Sequence, residues 1–414
     1  MDRSLGAARF AVFQAVNTRI FVWLARCSVW YASARNPKEN RRFLMPTRLV
    51  PLLFLIVFLL GCGSEPAEKS ATETNTLADV PDSQLQKMVD EALLHTFNER
   101  QLNLDVNAAW QILHGALPFG MKFKVQNGDS SVPAMQWVLD GNQMKGWTLR
   151  HGSKGLPGDR RGLKMVMEPG TKTGQGHEDQ WLAVMSQCGL SKDEKILFQG
   201  QEYQIWDVVQ QSMWDTFPGK ECSWTLIALT RYLNDFNQNW QASDGETWNL
   251  ERVVQMEADQ DLAMSACGGS HRLIGMTMAI DAHQDRGGEI EGPWKDADEK
   301  ISGAIERARQ FQQPDGSFST NYFARPGTSA DLALRINTTG HTLEFLALAL
   351  PPDRLSEPWV EQAVVQLCKL FKKTEPIPLE CGSLYHAAHG LMEYRERRFG
   401  PWPYPSDQNP EKGG

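Results

Sequence analysis

The sequence predicts an all-α chain, a ring of about five to six helical hairpins carrying a small β insertion near residues 121–169. Three observations lead there. An octet recurs, as Gly176-His177-Glu178-Asp179-Gln180-Trp181-Leu182-Ala183 and Gly340-His341-Thr342-Leu343-Glu344-Phe345-Leu346-Ala347. Related starts follow at Cys222-Ser223-Trp224, Cys267-Gly268-Gly269-Ser270-His271 and Cys381-Gly382-Ser383-Leu384-Tyr385-His386, with 45 residues from His177 to Cys222, from Cys222 to Cys267 and from His341 to His386. That period is the length of one helical hairpin with its turns. Finally, stretches that are apolar around most of their circumference alternate with stretches that have one charged face, as buried inner helices alternate with covering outer ones.

The chain opens on segments that precede the ring. From Met45 a short basic start leads into an apolar run, Leu49 to Leu60, and then Gly61-Cys62-Gly63-Ser64. An apolar core of about 7–15 residues ending in small residues is an export signal, too short to span a bilayer. Leu59-Leu60-Gly61-Cys62 resembles the bacterial lipobox, which implies a signal peptide over 45–61, lipidation at Cys62 and attachment to a membrane. Residues 1–44 fit export badly and are expected to be an upstream start. Residues 62–82, rich in Ser, Thr, Glu, Ala and Pro, read as a tether, which places the ring domain at 83–400 and a Pro-rich tail at 401–414.

Within the ring, the outer helices are expected over Ser83–Arg100, Tyr203–Phe217, Asn249–Met264, Asp296–Gln313 and Glu357–Lys373. The inner ones include Ala266–Ile280 and His341–Leu350, and Asn107–Gly115 as a first inner helix brings the inner starts to six. Between Met121 and Pro169 the pattern breaks. Met121–Val125, Gln136–Leu139 and Leu163–Met167 alternate or run apolar between glycine-rich turns, as strands do.

About 320 residues after the tether suffice for one large domain, and 14 Trp suggest an aromatic-rich core. A net charge of −8 without a basic run in the mature chain argues against nucleic acid as partner. Five Cys follow Cys62, at 188, 222, 267, 368 and 381, an odd number that leaves at least one free thiol. No CxxC pair occurs, which removes a zinc-finger reading.

Gln312-x-x-x-Gly316-x-Phe318 resembles the Q-x-x-x-G-x-W motif of squalene-hopene cyclases, and Gln241-x-x-x-Gly245-x-x-Trp248 matches it with one extra residue. The resemblance, over about residues 200–400, implies an α/α toroid of the terpenoid cyclase and protein prenyltransferase superfamily, in a planctomycete-type lipoprotein. Asp296-Ala297-Asp298-Glu299 is similar to the acidic D-x-D-D motif of those cyclases. It ends in Glu299, however, and opens an outer helix, so a helix-start role that complements the macrodipole is expected instead.

The candidate catalytic residues are His271, His341, His177 and Glu344. Imidazoles near the ring axis suit general acid–base work, and carboxylates such as Glu178, Asp179 and Glu344 suit glycan chemistry. His114 is a further inner-helix histidine. These histidines are expected at helix starts, where free N–H groups attract anions. Candidate substrate-binding residues are Asn321, Tyr322, Arg325 and Arg335 in a long loop over Thr320–Thr339, with His386 and His389. No cofactor or metal is assigned. The zinc arrangement weighed pairs His386 and His389, which share a helical face, with Cys381 or His341. The expected role is binding or scaffolding of a glycan, lipid or peptide in the envelope, with an enzyme acting on a glycan or isoprenoid-like lipid as the alternative. Convergence of the histidines on a water-accessible pocket would favour the enzyme.

Overall fold

The computed structural model describes residues 80–167 and 176–405. Cys62, the signal segment, residues 1–44 and most of the tether lie outside them. Among the described residues the chain is mostly helical, with twelve α-helices and four separate two-stranded hairpins. The helices are α1 (Asp82–Glu99), α2 (Ala109–Phe119), α3 (Ala134–Leu139), α4 (Gln180–Gln187), α5 (Ile205–Trp214), α6 (Ser223–Tyr232), α7 (Leu250–Ala258), α8 (Ser270–Asp285), α9 (Pro293–Gln310), α10 (Leu332–Ala349), α11 (Pro358–Thr374) and α12 (Cys381–Phe399). No helix among these residues is long and apolar enough to cross a membrane.

The inner and outer classes are visible in burial. α1 buries Leu85, Val89, Ala92, Leu93 and Thr96, and α9 buries Trp294, Ala297, Ile301, Ala304, Ile305 and Ala308, each a stripe at helical spacing. α6, by contrast, buries nine of its ten residues. Three of the helix starts carry side-chain caps. Asn249 Oδ1 accepts from the Arg252 amide at 2.8 Å, Asp331 receives the amides of Ala333 and Leu334, and Glu380 receives those of Gly382 and Ser383. Pro293 and Pro358 open α9 and α11, where their missing N–H costs nothing.

The inner helices pack in sequence order, α2 on α4, α4 on α6, α6 on α8, α8 on α10 and α10 on α12, and α12 returns to α2. A cavity of about 670 Å³ is touched by the C-terminal ends of all six, from Leu117 of α2 round to Glu393 of α12. α10 and α12 lie closest because each presents a glycine to the other. A Cβ at Gly340 would fall 2.4 Å from the Ala387 methyl, and one at Gly390 would fall 2.8 Å from the Glu344 amide nitrogen.

The Gln312 motif has a structural role. Its side-chain amide donates to the main-chain oxygens of Gly316, at 2.9 Å, and Trp359, at 2.7 Å, and so ties the turn after α9 to the start of α11. Gly316, at φ +90°, has the Gln362 carbonyl oxygen where a Cβ would stand, 2.5 Å away. Asp296 lies in the first turn of α9, as a helix-start residue.

Several expectations need correction. Gln136–Leu139 belongs to helix α3, not a strand, because Ala134, Met135, Val138 and Leu139 are buried at i, i+1, i+4 and i+5. β1 (Lys124–Asn127) starts later than expected, after a 3₁₀ turn over Gly120–Lys122, and pairs with β2 (Ser130–Pro133). β3 (Trp147–His151) pairs with β4 (Leu163–Met167), which keeps the insertion in place. The hairpins β5–β6 (Lys195–Phe198 and Gln201–Gln204) and β7–β8 (Trp240–Gln241 and Thr247–Trp248) were not foreseen. The long loop ends at Asp331, so Arg335 and Asn337 stand on α10. The start of the Pro-rich tail is packed, with Trp402 buried against the Phe97 and Phe119 rings.

Candidate metal centre

Each of the six inner helices, or the turn entering it, brings one aromatic ring to a common cluster. These are His114 of α2, His177 before α4, Trp224 of α6, His271 of α8, His341 of α10 and His386 of α12. Ring centroids are 4.2 Å apart for His341 and His386, 4.9 Å for His271 and His386, 5.3 Å for His271 and His341, and 5.0 Å for His114 and His386. Trp224 lies 4.8 Å from His271, and His177 lies 5.7 Å from it. The repeat thus places the three histidines proposed for catalysis together, with His386 among them. His271 sits in the first turn of α8 and His177 in the turn entering α4, whereas His341 and His386 are well inside α10 and α12. The anion-attracting first turn therefore does not apply to those two.

Four of the rings are fixed by their Nδ1 atoms. His341 Nδ1 donates to the Asn337 carbonyl at 2.8 Å, and His386 Nδ1 donates to Glu344 Oε2 at 2.8 Å. His177 Nδ1 donates to Glu221 at 2.9 Å, and His114 Nδ1 to the Trp110 carbonyl. A carbonyl or carboxylate only accepts, so each neutral ring carries its proton on Nδ1 and a lone pair on Nε2. His114 Nε2 faces the Gln180 amide at 3.5 Å. The Nε2 atoms of His341 and His386 and both nitrogens of His271 are buried without a hydrogen-bond partner.

Cys267 completes the group. Its thiol and one ring nitrogen each of His271 and His341 all lie within 4.8 Å of one another. Cys267, Gly268 and Gly269 take φ of 49°, 62° and 80°, a left-handed run that enters α8 and costs a non-glycine residue about 1–3 kcal/mol. The Tyr322 ring lies against Gly268, where a Cβ would meet it at 2.3 Å.

The electrostatics separate these groups. Burial would push the Cys267 thiol up, but the His341 charge beside it brings it below its ordinary value. Burial would lower His341, but Cys267 outweighs this and lifts it to about 9. Burial, with the neighbouring His386 and His341, holds His271 well below its usual value and so neutral. Glu344 is wedged between His386 and His389, with His389 Nδ1 donating to its Oε1 at 2.7 Å. Despite burial the two rings hold it far below the carboxylate range. Burial takes His386 down to about 3, whereas Glu344 and Glu393 overcome burial at His389 and raise it to about 10. Glu344 is therefore a positioning residue for His386 rather than a group open to substrate.

The remaining candidates divide. Asn321, Tyr322 and Arg325 line a cavity of about 730 Å³ that reaches Gly268. Arg335 instead pairs with Asp315, and His389 is buried on Glu344 and Glu393. Asp179 is consumed by Ser212, Thr225 and Lys220, and Glu178 faces Lys220 at 3.4 Å. The zinc arrangement through Cys381 fails, because that thiol sits by Gln111, and the residues whose donor atoms come together are Cys267, His271 and His341. All five cysteines among the described residues are free thiols. Cys267 and Trp224 were missed as site residues, although Cys267-x-x-x-His271 and the place of Trp224 in the repeat were both legible.

No protein-family model matches the chain, and no characterised protein matches it significantly.

Proposed function

We propose that the described domain is an α/α toroid whose axis holds a transition-metal ion, zinc being the expected one, and that this centre is the chemical site of an exported, membrane-anchored lipoprotein. The toroid reading is supported by inner helices that neighbour one another in closed order. The metal reading is carried by one observation, the nitrogens of His271 and His341 gathered with the Cys267 thiol within 4.8 Å, with the unpartnered Nε2 of His386 beside them. A buried polar atom left unpaired costs about 1–3 kcal/mol, so the two nitrogens of His271 and the Nε2 of His386 together carry a penalty of several kcal/mol.

The donor set fits zinc. Thiolate and imidazole are its preferred ligands, at about 2.0–2.3 Å, and tetrahedral ligands then stand roughly 3.5 Å apart. Three donors within 4.8 Å need to close by about an ångström. Cys267, His271 and His341 would hold the ion, with His386 beside them. The Nδ1 bonds of His341 and His386, to a carbonyl and a carboxylate, are the outer contacts that orient metal-binding imidazoles. Bound there, the ion would act as a Lewis acid toward water or a substrate oxygen.

A purely structural centre is the second reading. The burial of His271, His341 and His386, at 4 %, 1 % and 1 % exposure, favours it. Metal analysis of the purified protein is the first test, with about one zinc per chain expected and a loss to well under half in Cys267→Ser and His341→Ala. Metal-free wild type that folds with unchanged thermal stability would remove the proposal. Cobalt substitution then separates the two readings. A visible spectrum that shifts on adding small anions marks an open coordination position, and an inert one marks a structural centre.

A further inference from the structure

The cavity beside Cys267 carries a charge pattern that the metal centre does not explain. Its floor is the turn Asp261–Ala263 and Gly268, one wall is α9, and the other is the loop Thr320–Arg325. Three cations line it: Lys300 and Arg307, two turns apart on one face of α9, and Arg325 from the loop. One carboxylate on the lining, Asp261, offsets them in part. It has an oxygen taken by the Ala263 amide at 2.9 Å. No carboxylate pairs with Lys300, Arg307 or Arg325 among the described residues, and Arg307 Nε is buried without a partner. Lys300 donates to the Gln260 carbonyl at 2.6 Å and keeps two further N–H groups. Burial, with the charges of Arg307 and Arg272, holds its ammonium below the ordinary value although Asp261 and Asp259 oppose the shift.

The cavity is preformed. Ser319 Oγ donates to the Arg325 carbonyl at 2.6 Å and the Thr320 amide to Gly327 at 3.1 Å, so the loop closes on itself. Gly303 stands between the two α9 cations, and a Cβ there would meet only the Arg307 guanidinium, at 3.9 Å. The guanidinium therefore folds back along the helix toward Lys300. Opposite, the Tyr322 ring separates the cavity from Cys267 and His341, with its hydroxyl held by Asn337 Nδ2 at 2.9 Å.

We infer that this cavity binds the phosphate of a small phosphomonoester, presented to Lys300, Arg307 and Arg325 with the rest of the molecule directed at Tyr322 and the Cys267 centre. Three cations against one carboxylate leave two positive charges, which match the −1.5 to −2 of a phosphomonoester at pH 7 better than the single charge of a carboxylate. Guanidinium groups suit the paired oxygens of a phosphate. About 730 Å³ holds a molecule of sugar-phosphate size. The inference deepens the metal-centre reading and rests on it for the second half of that statement.

Calorimetric titration of the full-length protein in detergent, with glycerol 3-phosphate and with glucuronate, tests it. Glycerol 3-phosphate should bind, and glucuronate at least about tenfold more weakly. Lys300→Gln and Arg307→Gln should each weaken the phosphate about tenfold or more, a charged hydrogen bond being worth that much. Arg325→Gln, on an exposed side chain that folding does not need, should weaken it in the same direction. Absent phosphate binding, equal binding of glucuronate, or full binding by folded variants would overturn the inference. Zinc content of the same samples keeps the two readings apart. Zinc without phosphate binding defeats the phosphate inference alone, and phosphate binding without zinc defeats the metal centre alone.

Discussion

Glu344→Gln tests the centre of the structure most directly. In the folded chain the carboxylate takes two imidazole N–H groups, from His386 at 2.8 Å and His389 at 2.7 Å, and is 2 % exposed. A glutamine keeps the volume but turns an NH₂ toward one of the two donors. One partner is lost and the buried His389 charge is left with only Glu393, at 3.4 Å. Removing one member of a buried ion pair costs about 3–5 kcal/mol, so a loss of that order in urea unfolding at pH 7 is expected. The pH dependence is sharper still. His389 has a folded value of about 10. Its contribution to stability is therefore complete below the unfolded imidazole value, near 6.5, and lost as pH rises from there through about 10. Glu344 is held low, so its contribution is present above the unfolded carboxylate value and lost as pH falls through the folded one. Wild-type stability should thus decline between roughly pH 6.5 and 10, by at most about 1.4 kcal/mol per unit for this one proton. In Glu344→Gln the decline should flatten. A loss below about 1 kcal/mol, or an unchanged slope, would refute the assignment of Glu344 as the group that holds both histidines.

Three further perturbations follow from the same geometry. Gly340→Ala drives a methyl against Ala387, and with backbone on both sides it should cost about 1–3 kcal/mol in urea unfolding and lower zinc retention by parting His341 from His386. Asp179→Asn leaves Lys220, 6 % exposed, without its main counter-charge. A drop of about 3–5 kcal/mol at pH 7 that shrinks as wild type is itself titrated below the unfolded carboxylate value is expected, since Asp179 is held low in the fold. Cys62→Ser should move the protein from the membrane to the soluble fraction on cell fractionation, and continued membrane attachment would contradict lipidation at that residue.

The outer helices were readable because their stripes are one-sided. Leu85, Val89 and Leu93 or Trp294, Ile301 and Ile305 recur at helical spacing whatever surrounds them. The inner helices were readable through the repeat, which set the register of His177, Trp224, His271, His341 and His386. α3 was misread because a six-residue apolar run carries too little periodicity to separate helix from strand. The start of α10 was misread because Arg335 and Asn337 looked like loop residues, whereas the Asp331 cap starts the helix before them. Arg335 and His389, chosen for binding, were claimed by Asp315 and Glu344, partners separated from them in sequence by 20 and 45 residues. No local pattern announces such pairings.

The distribution of satisfied and unsatisfied nitrogens bears on whether the histidines are a repeat feature or a site. If each ring merely packed its hairpin against the next, all should be satisfied in similar ways. His114 is, by the Trp110 carbonyl and the Gln180 amide, and Glu221 fixes His177. Among the six rings the nitrogens without partners are those of Trp224, His271, His341 and His386, on the successive inner helices α6, α8, α10 and α12. The same side holds Cys267, the left-handed turn that presents it and the cationic cavity behind Tyr322. A repeat accounts for one ring from each of six helices or the turn entering it. It does not account for a thiol presented on a left-handed turn beside those rings, nor for the cationic cavity next to it, and that asymmetry is what a ligand-binding centre requires.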